Sequence, residues 1–234
     1  MGPRTSSRCF HAVLVVATMF CVLPVPLLAH CPIPDIKVNG EFFQATAVFT
    51  GKVMSVRKVI DKGDQEGGWF YKLRVGDVFR GPTAHEVAVF TGDDSNRFPL
   101  ESGQEYLLFA YQSHGRLRIN ACGNSALLSE AHDSVQTLNS LLRGKLLTEI
   151  DGYILTEDKD ADLSGIAVTI QGSSKTYSVT TGKDGRFRIQ VPPGKYRVEV
   201  VSRTYSGTDT DIFWYDPRGF SLHSGECASL ELLY

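Results

Sequence analysis

The stretch Thr180-Thr181-Gly182-Lys183-Asp184-Gly185-Arg186-Phe187-Arg188-Ile189-Gln190-Val191-Pro192-Pro193-Gly194-Lys195-Tyr196-Arg197-Val198 decides the fold of the C-terminal part of the chain. It holds the extended run Arg186 to Val191 and the start of a second, Lys195 to Ser202, each preceded by concentrated turn chemistry. Lys183-Asp184-Gly185 supplies a glycine for a left-handed position, and Pro192-Pro193-Gly194 fixes a dihedral and then reverses the chain, so both read as hairpin turns. The same texture continues outward. Ile150 to Leu155, Gly165 to Gln171, Thr176 to Thr181, Asp211 to Tyr215 and Ala228 to Leu233 are further strand candidates. About seven short strands at regular spacing predict a β-sandwich, which occupies residues 149–234.

Upstream, the runs Ala47 to Val59, Trp69 to Gly81, Glu86 to Gly92, Glu105 to Gln112 and Arg116 to Ala121 are rich in Val, Phe, Tyr and Ile and are punctuated by glycines. They read as five strands. Between Ser129 and Gly144 the period changes: Ala131, Val135, Leu138, Leu141 and Leu142 share one helical face, with Ser129 placed to cap the start and Gly144 the end. Strands closed by one helix suit a small Greek-key barrel of the OB type over residues 30–144. The fold class is therefore all-β with one helix: an OB-type barrel, then an immunoglobulin-like or transthyretin-like sandwich, with the boundary between Gly144 and Glu149.

The 234 residues are 42% hydrophobic and 21% charged, an ordinary globular composition. Arg4 and Arg8 precede an apolar run that ends in Leu27-Leu28-Ala29, which reads as a signal peptide over residues 1–29 and predicts a secreted, periplasmic or cell-surface protein. No later stretch is long and apolar enough to span a bilayer, so the membrane is only crossed. Cleavage after Ala29 leaves 22 basic against 26 acidic residues, a formal charge of −4. That balance, and the scatter of Arg57, Lys58, Lys72, Arg74 and Arg80 among apolar residues, disfavours a nucleic-acid partner. Cys9 and Cys21 fall in the signal segment, leaving Cys31, Cys122 and Cys227, which lack CxxC spacing and any zinc-site cadence with histidine.

Two family resemblances stand beside this reading. The first half resembles the OB-fold domain of the tissue inhibitors of metalloproteinases and their bacterial relatives, through Cys31, Ala47-Val48-Phe49-Thr50-Gly51-Lys52-Val53, the strand Tyr71 to Gly81, Ser102-Gly103-Gln104-Glu105-Tyr106-Leu107-Leu108, Cys122-Gly123 and the closing helix. The second half resembles the carboxypeptidase regulatory-like domain, through Gly165-Ile166-Ala167-Val168-Thr169, Thr180 to Phe187 and Val191 to Val198. The inhibitor resemblance implies a disulfide between Cys31 and Cys122, with Cys227 unpaired. It also implies an inhibitory N-terminal edge formed by His30, Cys31 and Pro32. In those inhibitors the first residue is a cysteine that chelates the target's zinc, whereas here His30 precedes Cys31.

No G-x-S-x-G, H-E-x-x-H or P-loop is present, the histidines are scattered singly, and no catalytic, cofactor or metal residue is assigned. Asp158, Asp160 and Asp162 alternate like the opening of a calcium loop but lack its turn glycine and its closing glutamate. Trp69, Phe70, Trp214 and Tyr215 read first as core and second as a binding face. The expectation is a non-enzymatic binding or structural protein with an extracellular protein or carbohydrate partner. The alternative is a metalloproteinase inhibitor.

Overall fold

The computed structural model describes residues 36–60, 66–81, 84–156, 161–200 and 219–233. The expected signal segment, His30, Cys31, Pro32, the expected strand Asp211 to Tyr215, Asp158 and Asp160 lie outside the described residues.

The first unit runs α1 (Val38–Gln44), β1 (Ala47–Val59), β2 (Gly68–Arg80), β3 (Glu86–Gly92), β4 (Glu105–Ser113), β5 (Arg116–Arg118), β6 (Ala126–Leu127) and α2 (His132–Leu142). Strand β1 pairs with both β2 and β4, so the order β1-β2-β3-β5-β4 closes on itself as an OB-type barrel, with β6 added outside β4. Register shifts at Val48, Phe49 and Val53 bend β1 enough for it to pair with a different strand along each part of its length. Alternation then sorts the side chains. Phe49, Val53, Tyr71, Leu73, Val89, Tyr106 and Leu108 fill the interior. Val48, Leu107 and Phe109 face outward, where Phe42 of α1 and Leu138 and Leu141 of α2 cover them. The first half of β1 is therefore buried on both faces and the second half is exposed.

Helix α2 is the helix the period predicts, with two differences. Ala131, not Ser129, is its N-cap, and Leu142 is 56% exposed, because the helix rests on the barrel through Leu138 and Leu141, with Ala131 and Val135 beside them, and Leu142 points away from that contact. Gly144 ends it in the left-handed conformation (φ +65). Helix α1 has seven residues, too short for a hydrophobic period to register.

The second unit comprises β7 (Glu149–Leu155), β8 (Ala167–Gly172), β9 (Thr176–Thr180), β10 (Arg186–Gln190), β11 (Gly194–Val200), β12 (Phe220–Leu222) and β13 (Cys227–Leu233). One sheet has the order β10-β7-β13, with β13 parallel to β7, and the other β12-β11-β8-β9. Ile150, Ile154, Val168, Ile170, Phe187, Tyr196, Val198, Leu230 and Leu232 fill the sandwich between them. Gly185 is left-handed (φ +71), as its turn requires. Neither expected hairpin forms, however, because β9 and β10 lie in opposite sheets, as do β10 and β11. Turn chemistry reverses the chain but does not decide which sheet receives it, and Pro192 and Pro193 have no N–H with which to continue a ladder.

The two units meet where α1 rests on the start of β13. Asn39 Nδ2 donates to the Gly225 carbonyl (2.7 Å), the Phe43 ring lies flat on His223 (4.8 Å between centroids), and Gly40 sits against the Cys227 carbonyl with no room for a side chain.

Candidate functional site

The N-terminal edge is organised by a buried carboxylate that no local pattern singles out. Glu41, 1% exposed on α1, accepts hydrogen bonds from Tyr111 Oη (2.6 Å), Asn124 N (2.7 Å) and Asn124 Nδ2 (2.6 Å). Asn124 Nδ2 also donates to the Ile36 carbonyl (2.9 Å), so the first described residue is fastened to the loop that follows Cys122. Any side chain at Gly123 would collide with the Glu41 carboxylate. Burial pushes the Glu41 carboxyl up, against the donors from Tyr111 and Asn124 that hold it down. One acid thus joins α1, β4 and the Cys122 loop, where Cys122 is half-buried and its N–H donates to Asn120 Oδ1 (2.8 Å).

A second arrangement covers the outer face of the β10-β7-β13 sheet. Register places three rows side by side: Gln190, Glu149 and Cys227; then Arg188, Asp151 and Ser229; then Arg186, Tyr153 and Glu231. Ser229 Oγ donates to Asp151 Oδ1 (2.7 Å), while Lys37 (3.8 Å) and Arg188 (3.7 Å) approach the other oxygen. Tyr153 Oη donates to Glu231, and the Arg186 guanidinium lies over the Tyr153 ring. These side chains line a cavity of about 360 Å³ that is open to solvent and contains no histidine. In the neighbouring row, beside Glu149, Cys227 is buried and unpaired. Burial, with Asp151 and Glu149 nearby, pushes its thiol far up, and the S–H donates to Glu149 (3.5 Å).

The donor atoms of Glu149, Asp151 and Cys227 lie within 4.8 Å of one another, a set that could hold a metal ion. Burial pushes the thiol up, Asp151 accepts from Ser229, and Lys37 and Arg188 stand within ion-pair distance of it, so these groups already engage one another. Ser229 faces a carboxylate without an imidazole to relay its proton, and the neutral thiol is a poor nucleophile. What the face offers is fixed hydrogen-bonding groups in a groove, the equipment of a binding site. A period-2 reading of polar residues, Glu149-Asp151-Tyr153 and Cys227-Ser229-Glu231, was the available signal for it.

Other residues singled out from sequence are dispersed. Trp69 packs against the barrel interior, whereas Phe70 lies outside. His114 occupies a left-handed turn position, His132 contacts Gln136, and His223 serves the seam with α1. The Asp162 carboxylate accepts the Ser164 N–H (2.9 Å).

No curated protein matches the sequence. Among solved structures, one titled "The Bacillus anthracis TIE protein" is 12% identical, with a TM-score of 0.28, over 81% of this chain and 34% of that one, so the chain spans about a third of that protein's length. Another, "Structural mimicry for functional antagonism", is 10% identical over 76% of this chain and 93% of that one, with a TM-score of 0.27. Both superpositions are too loose to bear on function. The sequence-family match is specific to the second unit, and it identifies residues 149–220 as a carboxypeptidase regulatory-like domain.

Proposed function

We propose that this is an exported, non-enzymatic binding protein whose carboxypeptidase regulatory-like domain holds a protein or carbohydrate partner at or outside the cell envelope. The observation that carries the reading is the groove on the β10-β7-β13 face. Its acids and hydroxyls are locked to one another, while Arg186 and Arg188, each more than half exposed, stand at its rim. Such a surface orients a polar ligand without a reactive group aimed at it. Glycan and peptide arrays probed with the purified chain test this. Capture of a defined ligand that weakens about tenfold in Arg188→Glu, the loss of a charge-assisted contact, supports it. Turnover of the captured ligand, or no capture by the intact chain, sinks it.

A second reading rests on the clamp of Glu41 and Asn124, which fixes the chain directly after the N-terminal segment to the barrel. A rigidly held start is what an inhibitor acting through His30, Cys31 and Pro32 would need. A Cys31 to Cys122 bridge would complete that anchorage. Such a bridge would remove about 4 to 5 kcal/mol of denatured-chain entropy in the simple loop-closure description. Non-reducing peptide mapping decides whether it forms.

A further inference from the structure

The barrel covers its outer surface in two different ways. Around β4 and the first half of β1, the two helices lay Phe42, Leu138 and Leu141 over outward-facing apolar residues. Across the second half of β1, the first half of β2, β3 and β5 no described helix lies, and register sets Arg57, Phe70, Phe90 and Arg118 in one row over four strands. Here arginines do the covering. The Arg57 guanidinium stands over Phe70 (5.2 Å), Arg116 over both Phe70 (5.5 Å) and Phe90 (4.8 Å), and Arg118 over Phe90 (5.0 Å). Phe90 is fully buried as a result. Along β2 the same face continues with Lys72 and Arg74, and Lys52 pairs in register with Arg74.

Three of these cations are neutralised: Lys52 by Glu105 (3.6 Å), Lys72 by Glu86 (2.6 Å) and Arg118 by Glu66 in a bidentate pair. Arg57, Arg74 and Arg116 have no carboxylate within ion-pair distance among the described residues. A chain whose overall formal charge is −2 thus gathers on one face three guanidinium groups that no described carboxylate pairs directly, with Glu66 and Glu86 acting on Arg116 and Arg74 only from further off. Stacking on the phenyl rings holds two of them with little loss of side-chain freedom on binding.

We infer that this face docks a linear polysaccharide carrying carboxylate or sulfate groups. Neighbouring strands are about 4.8 Å apart, so the row from Arg57 to Arg118 crosses roughly 14 Å, a length over which an anionic chain presents several charges. Planar guanidinium forks match carboxylate and sulfate oxygens in pairs. The rings are already capped by arginines, so no open aromatic platform remains on which unpaired bases would stack, as single-stranded nucleic acid requires. Nor does the face expose the apolar core that a stable protein interface buries.

Binding of the purified chain to immobilised dextran sulfate and polygalacturonate, with neutral dextran and single-stranded DNA as controls, tests this across a salt series. Both anionic polysaccharides are expected to bind, and neutral dextran is not. The double variant Arg57→Gln, Arg116→Gln should weaken binding by at least about tenfold and flatten the dependence on log salt by about two counterions. Arg74→Gln touches neither ring, and at an unchanged melting temperature it should weaken binding about threefold. Retention unaltered in the Arg74 variant, no retention on either polyanion, or single-stranded DNA bound as tightly through the same arginines would each overturn the inference.

Discussion

Replacing Glu41 with alanine should be among the most damaging single changes in the first unit, although it removes one charged side chain from near the chain's start. In the native structure its carboxylate is the acceptor for the Tyr111 hydroxyl and for both N–H groups of Asn124. Alanine leaves three part-buried donors facing a void. Each unsatisfied donor costs about 1 to 3 kcal/mol, and part is recovered because a buried carboxyl need no longer be desolvated, so the net loss is about 3 kcal/mol. For a protein of this size that lowers the melting temperature by roughly 6 to 12 °C. Glutamine is milder, at about 1 to 2 kcal/mol, because its oxygen still accepts from Asn124 and the Tyr111 hydroxyl can rotate to accept from its nitrogen. Denaturant unfolding of the two variants beside the native chain measures both. The pH dependence has a definite sign. Burial raises the folded-state pKa of Glu41, so its favourable contribution is complete below the unfolded value and is lost as pH rises through the raised one. Relative to Glu41→Gln, the native chain should therefore lose stability on going from acid toward neutral pH. A loss below about 1 kcal/mol for alanine, or a native chain that gains on the glutamine variant as pH rises, would refute the reasoning.

Three further outcomes are expected. Cys227, buried and with its thiol pushed far up, should resist maleimide in the native protein and react at once when unfolded; rapid native labelling, read by mass, would contradict its placement. Gly225→Ala combines left-handed backbone (φ +78) with a side-chain carbon 2.6 Å from Leu141, and should cost about 2 kcal/mol by denaturant titration at the seam between the units. The purified protein should not inhibit zinc metalloproteinases at micromolar concentration, since a chelating terminus misplaced by about 1 Å loses most of its metal affinity. Dose-dependent inhibition abolished by acetylating the N-terminal amine would reverse the ranking of the two functional readings.

Much of the fold was legible because period-2 alternation and turn glycines are local. Strands Ala47–Val59 and Glu86–Gly92 fall where their composition places them. Helix α2 follows from its apolar spacing, within the displacement caused by Ala131 rather than Ser129 serving as cap. The short pieces β6, β12 and α1 were not legible, since two, three or seven residues hold less than one clear repeat of any pattern. The candidate sites were legible least. Glu41 looks like any solvated glutamate until Tyr111 and Asn124, 70 and 83 positions away, are folded against it.

The sequence by itself determined the all-β class with its one long helix, the turn at Gly185 and the regulatory-like character of residues 149–220, because each depends on neighbours a few positions apart. Tertiary structure alone decided which sheet each turn feeds, that α1 fastens one unit to the other, and how the charges are distributed. Arg57, Lys72, Arg74, Arg116 and Arg118 are scattered among apolar residues along the chain and look like separate solvated positions. Strand pairing brings them onto one face, because register is set by the burial of the opposite face, and that is a property of the closed barrel and not of any one strand.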